Sequence, residues 1–258
     1  MRRASIFMPF FALLVGVFGF YLRLMELRNI FDSITGLPER NAVITNSLIL
    51  LTAIFLIIVF IFVLNVINKF TSQRGFEKAF GTEPLAYPTI FFLIGIIWLG
   101  ATVKHFIDVN ETGDFPISEF IFSILSVFSA ISVSFFAIDL YQDPRRTSKL
   151  ALSIVPTIFM CFWLIIFYRE NASNPILLRY CYECLAIVTS ALAFYFTSGF
   201  VYNRPAPGKT IFMFMAAIYF CSVTLADEHA ASIKLIFGVM IAINIVYSSM
   251  LIRNMRRK

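Results

Sequence analysis

SLILLTAIFLIIVFIFVLNVI, residues 47–67, contains no charged side chain and two polar ones beyond its first serine, Thr52 and Asn65. A helix of about 20 such residues, rising about 1.5 Å each, crosses the roughly 30 Å of hydrocarbon in a bilayer. It has no polar face to offer water, so the medium around it is lipid or other apolar helices. In lipid a backbone must satisfy its own hydrogen bonds, which leaves a helix as the form for so uniformly apolar a stretch.

The same reading extends in both directions. Comparable blocks cover 5–22, 87–103, 119–140, 150–168, 176–200, 210–226 and 230–252. The composition agrees: 59% of the chain is hydrophobic and 14% charged, with 31 Phe and a mean hydropathy of +0.84. Soluble domains carry about 25% charged residues. The expected fold class is therefore all-α: a polytopic helical integral membrane protein of eight transmembrane helices in a single transmembrane domain. The weakest division is between the last two spans, where only Asp227, Glu228 and His229 intervene. Left unbroken, that segment would exceed any bilayer thickness. The first span follows Arg2 and Arg3 and meets Arg23 without a small-x-small cleavage site, so a retained span is expected.

Charge sets the expected orientation. With both termini in the cytoplasm, fourteen of the 21 Lys and Arg fall inside, among them Arg2, Arg3, Arg145, Arg146, Arg256 and Arg257, while eleven of the 15 acids fall outside. That is the positive-inside bias of multi-pass proteins, and an odd number of spans would lose it. No Lys/Arg run is interleaved with aromatics, so nucleic acid is not an expected partner. Short matches recur in one order through both halves: Phe20-Tyr21-Leu22-Arg23 with Phe167-Tyr168-Arg169, and Thr89-Ile90-Phe91 with Thr210-Ile211-Phe212. They raise the expectation of a 4+4 tandem repeat, as several transporter folds have.

Ionisable groups gather at the ends of spans on the predicted outer side. The candidate ligand-binding set is Arg23, Glu26, His105, Asp108, Arg179, Glu183, Glu228 and His229. Carboxylates and imidazoles together hold cations and exchange protons. Arg179 and Glu183 stand four apart, on one helical face, and form the expected pair. The plainer alternative is an interfacial layer of long side chains reaching the headgroups. No metal spacing joins His105, Asp108, Glu228 and His229, and no cofactor motif is present. Cys181 and Cys184 form a CxxC at the start of the sixth span, open to a thiol redox reading or to a structural one as small buried hydrophobes. Residues 75–81, GFEKAFG, form a short amphipathic segment expected on the inner surface or against a partner.

The loop after the first span reads ELRNIFDSITGLP, residues 26–38. Leu27, Ile30, Phe31 and Ile34 recur at helical spacing, which predicts a short amphipathic helix along the surface. The pattern ELxxxFDxxTGLP resembles one in multi-pass membrane proteins of anaerobic Gram-positive bacteria. The resemblance implies a bacterial cytoplasmic membrane and carries no activity or catalytic residue. The function expected from these features is a small-solute or ion transporter, or a membrane binding component, with a polar site facing outward. The alternatives are a partner subunit of a membrane complex and a thiol–quinone redox protein using Cys181 and Cys184.

Overall fold

A computed structural model describes residues 2–29, 42–71, 75–81, 86–111, 116–142, 152–173 and 176–257. The chain is an all-α bundle. Its long helices are α1 (Arg2–Asn29), α2 (Val43–Lys69), α4 (Ala86–Glu111), α5 (Ile117–Gln142), α6 (Val155–Asn171), α7 (Leu177–Val201), α8 (Pro207–Thr224) and α9 (Ala231–Asn254). Eight helical segments among the described residues are long and apolar enough to cross a membrane. A five-residue helix, α3 (Phe76–Phe80), lies between α2 and α4, and Phe70–Thr71 (β1) pairs antiparallel with Arg256–Arg257 (β2). The ELxxxFDxxTGLP resemblance and its surface helix, which begin in α1, fall mainly outside the described residues.

The helices outrun their apolar blocks. The first span continues through Arg23, Glu26 and Arg28 to Asn29, and the third through Lys104, His105 and Asp108 to Glu111. Arg, Glu and Lys are good helix formers, so a change to polar composition ends the hydrocarbon crossing without ending the helix. The split between the last two spans is real: α8 stops at Thr224 and α9 starts at Ala231. Pro156 and Pro207 stand in the first turns of α6 and α8, where a missing N–H breaks no hydrogen bond.

Six helices close a ring, each beside the next: α4, α5, α6, α7, α8, α9 and back to α4. Aromatic rings fill its middle. Trp98 of α4 lies 5.8 Å from Phe159 of α6, Phe122 of α5 lies 5.0 Å from Phe159, and Trp163 of α6 lies 4.9 Å from Phe237 of α9, centroid to centroid. Hydroxyls clasp α4 to α5: Trp98 Nε1 donates to Ser126 Oγ at 2.9 Å, and Thr102 Oγ1 meets the same oxygen at 2.7 Å.

Helices α1 and α2 pack outside this ring against α8, leaving α8 almost wholly encased. The approach of α1 is close because Gly16 and Gly19 share a face. A Cβ on Gly16 would stand 2.7 Å from Ser222 Cβ, and one on Gly19 2.7 Å from Val223 Cγ2. Small residues of this kind let membrane helices approach backbone to backbone. On α2 only a stripe through Leu48, Phe55, Val59, Val63 and Val66 is buried, while Ile57, Phe60, Ile61 and Leu64 face outward. The 4+4 repeat is not shown by this architecture: α8 is encased, whereas α4, its would-be counterpart, keeps Ile96 and Ile97 exposed.

Segment 75–81 does not lie flat on the surface. Gly75 adopts a positive φ of 92°, and the chain turns into α3, which tucks against α7 and α9 with Ala79 and Phe80 buried. Asn254 Nδ2 donates to the carbonyls of Ala79 at 3.0 Å and Gly81 at 2.8 Å.

Candidate functional site

The C-terminal ends of α1, α4, α6 and α8 and the N-terminal ends of α2, α5, α7 and α9 meet at one end of the bundle. Arg23 is its hub. Its side chain is 0% exposed, a position that charged groups occupy only when paired. Nε donates to Asp227 Oδ1 at 2.8 Å, and Nη1 donates to Glu26 Oε2 at 2.7 Å and to the Leu178 carbonyl at 3.0 Å. Nη2 donates to the Arg179 carbonyl at 2.6 Å. Thr45 Oγ1 donates to the other oxygen of Glu26 at 2.7 Å. One guanidinium fork thus joins α1, α7 and the α8–α9 turn, and through Glu26 it also reaches α2. Lys, a point charge, has no fork to do this. The Tyr182 ring lies beneath the guanidinium, 5.4 Å from its carbon. Hydroxyls then run towards the middle of the bundle: Thr52 Oγ1 stands 2.7 Å from Tyr219 Oη and 3.5 Å from Tyr182 Oη.

Beside this sealed hub lies a less enclosed pair. Glu183 Oε2 is 3.7 Å from His229 Nε2, with both side chains about one sixth exposed. His229 Nε2 and Asp227 Oδ2 are buried atoms without a hydrogen-bond partner among the described residues. Burial, aided by Lys234 and Arg23, holds the His229 imidazole down at about 4, so it is neutral at neutral pH. Burial pushes the Asp227 carboxyl up, against the pull of Arg23. Glu26 and Asp227 face Arg23, Glu183 lies beside His229, and Lys234 adds a second positive charge near Asp227 and His229. The unpartnered Asp227 Oδ2 and His229 Nε2 suit a cation, a proton or a donor-rich solute.

A second centre stands across the ring. His105 Nε2 donates to Glu119 Oε2 at 2.9 Å, and the imidazole packs edge-on to Phe122 at 5.0 Å. His229 is tilted against Phe237, at 5.9 Å. Both histidines therefore rest on the aromatic filling of the ring.

Of the eight residues expected from sequence, Arg23, Glu26, Glu183 and His229 come together, and His105 belongs to the second centre. Asp108 is bound to Lys104 of its own helix at 3.0 Å, on the surface. Glu228 is exposed. The expected Arg179–Glu183 pair does not form: the Arg179 side chain is exposed, and only its carbonyl enters the site. The reason is that Arg23 already occupies the space inside the α7 start. The eight leave out Asp227, Thr45, Glu119 and Tyr182. Asp227 was signalled by its position in the short α8–α9 turn; the other three looked like ordinary span residues. Cys181 and Cys184 are free and partly buried. Among the described residues no group of three or more His, Cys, Asp or Glu stands close enough to hold a metal ion. Compared with protein-family models, curated proteins and solved structures, the chain matches none.

Proposed function

We propose that the chain is a membrane transporter, or the membrane binding component of one, for a small cation or a protonated solute. Glu183 and His229 would form the entrance of its site, and Arg23, Glu26 and Asp227 the rigid base. The observation that carries this reading is a buried guanidinium held by two carboxylates, Glu26 and Asp227, with Asp227 Oδ2 and His229 Nε2 left unpartnered beside it. Ionisable groups inside membrane proteins are costly, and they mark ion and proton pathways. We place the charged end outside the cell and both termini in the cytoplasm of a bacterium, on the Lys/Arg asymmetry and the resemblance of residues 26–38.

The test is flux through purified protein in liposomes loaded with a pH-sensitive dye. The vesicles are challenged in turn with gradients of Na+, K+ and methylammonium. The wild type responds to at least one. Glu183→Gln and His229→Gln each slow that response by about tenfold or more, as loss of a hydrogen bond to a charged group worth about 1.5–3 kcal/mol implies. Equal rates in wild type and variants would remove both residues from the site.

A further inference from the structure

The end of the bundle opposite the charged site carries charge of one sign. Lys69 ends α2, Lys78 lies in α3, and Arg204 lies in the turn between α7 and α8. Lys209 stands in the first turn of α8, Arg253 in the last turn of α9, and Arg256 in β2. Arg253 is half-buried and the other five are exposed. Every acid whose side chain is described, from Glu26 to Glu228, belongs to the other end. Among the described residues none of these six cations joins an ion pair, whereas Arg23 and Lys104 at the other end do.

The fold adds to this crowding. Strand pairing sets Arg256 opposite Thr71, two residues beyond Lys69, and Arg257 opposite Phe70. Opposed Cα atoms in such a ladder stand about 4.5–5.5 Å apart, and like charges gathered in this way repel. A cation at the C-terminal end of a helix is offset by the helix dipole, which accounts for Lys69 and Arg253. Lys209 has the opposite setting. It stands at the N-terminus of α8, whose first turn holds no acid and whose cap makes no side-chain hydrogen bond. The dipole there adds to its charge. The compensating negative charge has to come from outside the chain.

Depth indicates the source. The six cations lie at or beside the ends of helices long enough to cross a membrane, the level at which lipid headgroups begin. Two of them run along aromatic rings: Lys209 Nζ lies 5.9 Å from the centre of the Phe196 ring, and the Arg253 guanidinium carbon 5.9 Å from that of Tyr87. A long side chain laid on an apolar surface with its charged tip at the boundary is the snorkelling arrangement, and it fixes the charge at headgroup level. A soluble acidic partner would require no such depth. We propose that this end is a docking surface for anionic phospholipid, with the headgroup phosphates held by the cations of α2, α8, α9 and β2. The proposal is independent of the solute reading of the charged end.

The test counts lipid. Protein in an uncharged detergent is mixed with equal amounts of phosphatidylglycerol and phosphatidylcholine of the same acyl chains and freed of excess lipid. The lipid retained is then measured by mass spectrometry. The wild type is expected to prefer phosphatidylglycerol by about fivefold or more, since each Lys or Arg near an anionic surface contributes about that factor. A chain carrying Lys69→Gln, Lys209→Gln, Arg253→Gln and Arg256→Gln should hold the two lipids equally. Arg28→Gln with Lys104→Gln, at the other end, should keep the preference. The single variants Lys209→Gln and Arg256→Gln, matched to wild type by circular dichroism, should each weaken it. No preference in the wild type overturns the proposal, as does an unchanged preference in both single variants. An equal loss from the pair at the other end would reduce the effect to net charge and overturn it too. So would a rise in melting temperature with inorganic phosphate as large as that with phosphatidylglycerol, which would assign the surface to a free anion, or a tightly held acidic protein that phosphatidylglycerol fails to displace.

Discussion

Arg23 shows how one residue can organise several elements. Its guanidinium satisfies two carboxylates and two backbone carbonyls in full burial, so its removal strands Asp227 and Glu26 without compensation. Breaking a buried ion pair from one side costs about 3–5 kcal/mol. Arg23→Ala is expected to lose that much in thermal or denaturant unfolding in detergent. Arg23→Lys should recover only part, since an ammonium cannot span all four acceptors. Arg179→Ala, which leaves its carbonyl in place, should stay within about 0.5 kcal/mol of wild type.

His229 makes a separate prediction. The unfolded chain takes up a proton near 6.5 and the folded one near 4. Between those values the unfolded state binds more protons, so stability falls as pH falls through that window and is unaffected above it. The melting temperature of wild type should therefore drop between pH 6.5 and 4 more steeply than that of His229→Gln, and parallel curves would contradict the assignment. The sequence showed that charge gathers at one end of the bundle. It did not show which member of a neighbouring pair turns inward. Asp227 and Glu228 are adjacent and chemically alike, yet the α8–α9 turn aims one at Arg23 and the other at solvent. Backbone acceptors such as the Leu178 carbonyl have no signature in residue identity at all.

At the scale of elements, the spans were legible because hydrocarbon thickness fixes their length. Their ends were not, since Lys104 to Glu111 is as helical as the apolar residues before it. Helix α3 was readable as amphipathic but not as inward-facing, because the burial of Phe80 depends on α7 and α9, far away in sequence. Helix contacts themselves give a further prediction. Gly16→Val places atoms against Ser222, where a Cβ already stands 2.7 Å away, and overpacking of this kind costs about 1–3 kcal/mol. Gly238, in the middle of α9, has nothing within 4 Å of an added Cβ. Gly238→Ala should raise stability by about 0.5–1 kcal/mol through helix propensity. Paired melting curves of the two variants in one detergent check both signs.

The ring is the feature the sequence hid most completely. Both sides of a membrane helix are apolar, so alternation of polar and apolar residues, which locates a core in water, says little about which side meets lipid. Depth of burial then has to be tested on the folded molecule. Cys161 is exposed, Cys181 and Cys184 are partly buried, and Cys221 is fully buried at the centre. With the first three replaced by serine, a thiol-reactive dye should find no target until the whole bundle unfolds. Its signal should then rise in a single step at the melting temperature seen by circular dichroism. Reaction of Cys221 well below that temperature would contradict the central place of α8.

Helix α2 is apolar nearly all round, and grease alone cannot tell such a rod how far to turn about its own long axis. The single hydroxyl of Thr52, seated against Tyr219 Oη at 2.7 Å, acts as an index pin: rotate the rod and that bond is lost while the oily contacts merely trade partners. A methyl-for-hydroxyl swap there would leave α2 in the bilayer with its azimuth set from one end alone, by the bond from Thr45, two turns along the same rod, to Glu26.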